Sequence, residues 1–232
     1  MRRFYKEATV AQGGGGFALL LDGRPVKTPA RAALAVPTGA LADAIAYEWR
    51  AQGDTIDPQT MKLTGLANAA IDRVAPDPVA FAAGLARYGE SDLLCYRSEG
   101  PAPLVQRQAE HWDPILAWAR RRYDIELKVA QGVIHHPQPD AAVARLGKAV
   151  AVRPPFELAG LSPLVTVSGS LLIALALAED ALGREQAWAA ASLDEQWQLE
   201  KWGEDSEAAL ALANRRRDFE SGAHFLQLLG ST

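Results

Sequence analysis

Short apolar stretches separated by turn residues fill the first forty residues and read as β structure, then give way after Thr38 to apolar positions spaced four apart, which predict helices. Residues 3–10 alternate loosely, 13–16 are a flexible glycine turn and 17–21 form a compact apolar run. Asp22-Gly23 is a hairpin signal, and residues 25–28 and 33–36 read as further short strands. Thr38 is suited to cap a helix reaching Trp49, because Leu41, Ile45 and Trp49 fall four apart on one stripe. Pro58 bars its predecessor from a helix, so residues 53–58 form a loop. A second helix is predicted over about 59–74 with Leu63, Leu66, Ala70 and Ile71 inward, and Asp77-Pro78 opens a third.

Further along, residues 93–97 read as extended and 103–123 as one long helix, with Leu104, Ala109, Trp112, Leu116 and Ala119 inward and a bend at Pro114. Residues 125–129 alternate like a lone strand. The remainder reads as helices over about 140–152, 162–182, 184–202 and 205–229, with Ser162-Pro163 as a capped start and Gly183 and Gly203 as stops.

One stretch stands apart. Residues 188–207 hold three tryptophans and six carboxylates. On a single helical wheel Trp188, Ala191, Leu199 and Trp202 share a face with Glu195 in its middle, and Ala189, Leu193 and Trp197 make a second apolar strip beside it. A narrow polar edge remains at Asp194, Gln198 and Lys201. Two readings fit: a core helix in which Glu195 meets an arginine from elsewhere, or an apolar flank with embedded acids that docks another protein.

Charge and composition narrow the function. The 232 residues carry a net charge of −4 with arginines spread widely, so no basic face for nucleic acid is expected. The run Arg215-Arg216-Arg217 lies near Glu207, Asp218 and Glu220 and reads as a solvated or internally paired cluster. Cys95 is the sole cysteine, which fits core packing in a reducing compartment, and the chain starts without a signal-like apolar run, so a cytoplasmic location is expected. The longest apolar run, 164–178, falls short of the roughly 20 residues that span a bilayer and reads as a buried helix.

Candidate chemistry is sparse. The four glycines at 13–16 precede a strand and lack the Lys-Ser/Thr of a phosphate loop. His135 and His136 are adjacent and would point to opposite sides of a strand, which speaks against a shared metal. Ser168-Gly169-Ser170 lacks nucleophile-elbow spacing and reads as a small-residue packing site. His111 and His224 complete a scattered set of four histidines, so no catalytic residue, metal or cofactor is expected.

Several stretches together resemble the ATP12 family of F1 ATP synthase assembly chaperones. They are Arg3-Phe4-Tyr5-Lys6, residues 19–38 (LLLDGRPVKTPARAALAVPT), Glu48-Trp49, residues 54–72 (DTIDPQTMKLTGLANAAID), residues 92–97 (DLLCYR), Leu161-Ser162-Pro163-Leu164 and residues 193–208 (LDEQWQLEKWGEDSEA). The resemblance spans nearly the whole chain. It implies an α+β fold, with a small N-terminal β-rich domain over 1–58 and a larger all-helical C-terminal domain over 59–232. It also implies binding of the free F1 α subunit, which is kept from aggregating until the β subunit takes its place. The acidic site of the family matches Asp194 and Glu195 here, with Asp205 and Glu207 beside them, and Trp197, Glu200 and Trp202 complete the expected partner-binding set. Mitochondrial members begin with a targeting segment; its lack here makes the chain resemble a bacterial, alphaproteobacterial member. Two rival classes are a small-molecule enzyme using Glu195 or Asp205 as general base and a stable structural accessory subunit.

Overall fold

The computed structural model describes residues 1–132, 134–203 and 206–230. It divides the chain into two compact units, one of Met1–Pro78, Pro154–Gly160 and His224–Thr232, the other of Val79–Arg153 and Leu161–Ala223.

The first unit is built on an antiparallel hairpin. Strands β1 (Ala8–Gly13) and β2 (Gly16–Leu21) pair from Ala8↔Leu21 to Gly13↔Gly16. Gly16 has φ +110°, and a Cβ there would sit 2.5 Å from the Val36 carbonyl oxygen, so no other residue fits. Asp22 and Gly23 both take positive φ, the geometry of a two-residue turn that returns the chain as β3 (Arg24–Pro25). The short β4 (Ala35–Val36) also pairs with β2. Thr38 caps α1 (Gly39–Arg50), accepting from the Leu41 amide, and Leu41 and Ile45 are buried in the core with Leu19, Leu21, Val36 and Phe225. Burial of such side chains contributes about 1.5–3 kcal/mol each.

Carboxylates fasten this unit. Glu48 accepts from the Leu63 and Thr64 amides at 2.7 and 2.8 Å, satisfying the start of α2 (Lys62–Ala69), which widens into a π turn at Ala70–Val74. Asp72 accepts from the Thr28 hydroxyl at 2.6 Å and from the Ala30 amide at 2.9 Å. The alternation expected from residue 3 becomes a strand only at Ala8: the Arg3 side chain instead donates to the carbonyls of Tyr5 and Gln52.

Among the described residues the second unit is mostly helical, with one two-residue ladder. After α3 (Pro78–Ala86), residues expected to be extended form a tight turn at Leu93–Cys95 followed by β5 (Tyr96–Arg97), which pairs in parallel with β6 (Ala130–Gln131). The strand expected over 125–129 is irregular; its alternation survives only as burial of Ile125 and Leu127. Helix α4 (Ala102–Tyr123) continues through Pro114 and packs against α7, α8 and α9, defined as α7 (Leu171–Ala178), α8 (Arg184–Ala191) and α9 (Leu193–Trp202). Helix α5 (Asp140–Ala151) also belongs here, as do most of α6 (Pro155–Ser168) and α10 (Ser206–Gly230), whose residues 155–160 and 224–230 belong to the first unit.

Two long helices expected from periodicity are each broken in two. The helix expected over 162–182 starts earlier, at Pro155, carries Pro163 inside, and stops where Gly169 turns to φ +69°. Ser170 then caps α7 through the Ile173 amide, and the wholly buried Asp92 accepts from the Ser170 hydroxyl and the Leu172 and Leu94 amides. The helix expected over 184–202 breaks at Ser192, whose hydroxyl donates to the Trp188 carbonyl at 2.7 Å. The α+β class, a strand-bearing N-terminal region followed by a mostly helical remainder, matches the expected one. Among the described residues no helix is long and apolar enough to cross a membrane.

Candidate partner-binding surface

The break at Ser192 decides where the tryptophans go. Trp188, on α8, is buried against Phe219 with ring centroids 5.6 Å apart, and Ala191 is buried with it. Trp202, at the far end of α9, is 78% exposed. The face on which one continuous wheel placed both therefore does not exist. Leu193 and Trp197, from the second strip, are the residues that α9 turns inward.

Helix α4 holds α9 in place. Trp112 is fully buried and donates its indole N–H to the Ala190 carbonyl at 2.9 Å. One turn earlier, the buried Gln108 receives the Ser98 amide on its oxygen and donates through its nitrogen to Asp194 at 2.8 Å. Burial pushes the Asp194 carboxyl above its usual range, opposed by the Gln108 bond and reinforced by the charge of Glu195. Arg107 lies over the Trp197 ring at 5.0 Å and pairs with Glu200 at 2.9 Å, which lowers the Glu200 carboxyl. Lys201 approaches the same ring at 4.8 Å. Trp197 is only 7% exposed, so it braces the surface from beneath.

Glu195 has the arginine that one of the two readings required. Arg215 approaches it at 2.5 Å and donates its other nitrogen to the Val167 carbonyl at 2.8 Å. Both side chains are 39% exposed, so the pair is worth no more than about 1 kcal/mol. Arg216 meets Glu185 and Glu220, and Arg217 meets Asn214, which makes the arginine run an internally paired cluster. Glu207 is exposed in the first turn of α10 and Leu210 is 61% exposed, whereas Asp205 lies outside the described residues. Exposed in this stretch are the Trp202 indole, Leu210 and the carboxylates of Glu200 and Glu207, whereas Asp194 and Glu195 are half-buried.

Arg107, Gln108 and Arg215 position the acids, and the sequence reading did not single out the first two. Gln108 was findable: it occupies the four-residue stripe Leu104, Gln108, Trp112, Leu116, where every other member is apolar. Elsewhere the chemistry is quiet. His135 bonds through Nδ1 to the Tyr96 hydroxyl at 3.2 Å. Burial pushes the Cys95 thiol up to about 12, far from a reactive thiolate. Among the described residues no three His, Cys, Asp or Glu side chains converge as a metal site. What this surface can do is insert an aromatic ring into a partner and pair with its cations.

The profile of the family described as "ATP12 chaperone protein" matches residues 2–120. Atp12 from Paracoccus denitrificans superimposes with a TM-score of 0.92 at 42% identity, covering 98% of this chain and 97% of that one. The Agrobacterium tumefaciens protein Atu1473 superimposes with a TM-score of 0.93 at 42% identity over 98% of this chain and 86% of that one. The mitochondrial protein atp12 of Schizosaccharomyces pombe is 26% identical over 214 residues, 87% of this chain and 74% of its own length. These similarities define the class of protein, a chaperone. The chain belongs to the ATP12 family, the chaperones for assembly of the F1 sector of ATP synthase.

Proposed function

We propose that this chaperone holds the free α subunit of F1 through the outward surface of α9 and the start of α10, preventing its aggregation until the β subunit joins. The observation that carries the reading is the exposure of Trp202, at the end of a helix whose other tryptophan is buried. Large exposed aromatics rimmed by charge are the usual anchors of protein interfaces. Within the expected set, Trp202, Glu200 and Glu207 meet the client directly and Asp194 and Trp197 support them. Glu195 selects a client arginine in exchange for Arg215. A contact of roughly 800 Å² per partner suffices. Release needs no cofactor, because β competes for the covered surface of α with a larger interface. The action is cytoplasmic and involves neither nucleic acid nor membrane insertion.

The test is light scattering from purified α subunit with and without an equimolar amount of this protein. Wild type is expected to suppress scattering, and Trp202→Glu to lose that protection while keeping the melting temperature. Equal precipitation of α with and without the chaperone contradicts the reading. A specific observation favours a different role for one residue: the Arg215 contact makes Glu195 a brace between α9 and α10. Glu195→Gln separates the two, since bracing predicts lower stability and client selection predicts weaker α binding at unchanged stability.

A further inference from the structure

We propose that the N-terminal unit carries a second binding site, a hollow that accepts an acidic peptide segment of a partner protein with apolar side chains at its centre. The hollow has a volume of about 720 Å³, within the range of about 300–1,000 Å³ that holds small ligands and peptide side chains. Its apolar lining comes from Tyr5, Leu21, Val26 and Trp49, and Phe4 stands at it with 64% of its surface exposed, edge-on to Tyr5 at 5.4 Å. An exposed phenylalanine against Tyr5, itself packed on Trp49 with ring centroids 5.5 Å apart, is a seat for an apolar anchor.

The charge of the lining decides the rest of the ligand. Arg24 and Lys27 are both exposed there, against a single acid, Asp22. Asp22 is committed to the backbone: its Oδ1 accepts from the Glu7 and Lys6 amides at 2.9 and 3.0 Å, and these bonds hold its carboxyl below the usual range. The carbonyls at the end of α1, which would repel an anion, are also occupied. Tyr5 donates its hydroxyl to Trp49 O at 2.7 Å, and Arg3 donates to Gln52 O at 2.6 Å. The two cations outnumber the one ionised carboxylate, so the side chains of the lining leave a net positive charge over an apolar floor. A polyphosphate is a poorer match, because no helix N-terminus lines the hollow and most of its wall is apolar. A chain segment with carboxylates flanking a leucine or phenylalanine satisfies both halves.

The probe is a fluorescein-labelled, C-terminally amidated peptide Glu-Asp-Leu-Phe-Glu-Asp, titrated by anisotropy into the full chain. Binding is expected to weaken at least ten-fold when the acids are replaced by Gln and Asn or when Leu-Phe is replaced by Gly-Ser, and to weaken steadily with added salt. The double variant Arg24→Glu with Lys27→Glu is expected to lose binding at unchanged melting temperature, since both residues are exposed, whereas Trp202→Glu keeps it. That last arm separates this site from the α9 surface, so either proposal can fail alone. Equal affinity for the amide control, binding that survives the double reversal, or displacement by equimolar inorganic triphosphate would each overturn the site.

Discussion

Three tryptophans within fifteen residues meet three fates, and the difference is measurable residue by residue. Trp202→Ala removes an exposed side chain and should change folding stability by no more than about 0.5 kcal/mol, while abolishing most protection of the α subunit. Trp197→Ala removes a buried ring flanked by Arg107 and Lys201, and urea unfolding should show a loss of about 3–5 kcal/mol. Asp92 offers a test of sign. Burial raises its carboxyl from 3.8 to about 6 against the pull of its Leu172, Ser170 and Leu94 bonds. The folded chain therefore binds this proton more tightly than the unfolded chain. The stability due to protonated Asp92 is present below pH 4 and is lost as pH rises through about 6, a change on the order of 3 kcal/mol. Unfolding free energies from pH 4 to 7 should fall for wild type relative to Asp92→Asn by that amount; parallel curves contradict it. Such roles were hidden in the sequence. Asp22, Glu48, Asp72 and Asp92 lie in stretches that carry the family resemblance, yet each spends its oxygens on backbone amides of its own chain. A lone acid in a motif shows its residue type, not which donors converge on it.

At the scale of elements, α4 determines where the acids of α9 sit, so the surface can be altered from behind. Gln108→Leu leaves the Ser98 amide without its acceptor and Asp194 without its donor. Thermal or chemical denaturation should register a loss of about 1–3 kcal/mol, with the Asp194 carboxyl moving further up because the bond that lowered it is gone. The hairpin, α1 with its Thr38 cap, α4 and α5 were legible, since turn chemistry and apolar periodicity are local signals. The breaks at Ser168–Ser170 and Ser192 were not. Both lie in strongly apolar surroundings where periodicity runs on unbroken, and what ends the helices is serine hydroxyls bonding to local backbone and, at Ser170, to the distant Asp92. A 78-residue separation between Asp92 and its partner cannot be read from a window of a few turns.

The chain has a strand-bearing unit and a helical one; the sequence announced the change from strands to helices at Thr38, which falls inside the first unit, and not the division after Pro78. It gave no sign that Pro154–Gly160 and His224–Thr232 belong with the first unit, because their assignment rests on packing by Phe156, Phe225 and Leu228 and not on any linker composition. Membership of the ATP12 family was legible from motifs alone, and the structural likeness to the Paracoccus protein extends it over nearly the full length. The direct test of the docking account is photo-crosslinking to free F1 α subunit from a benzoylphenylalanine placed at Trp202, with Val152, an exposed residue of the same helical unit, as control. The account predicts a strong crosslink from position 202 that disappears when β subunit is added and none from position 152. Equal yields from the two positions, or no crosslink from 202, would contradict it.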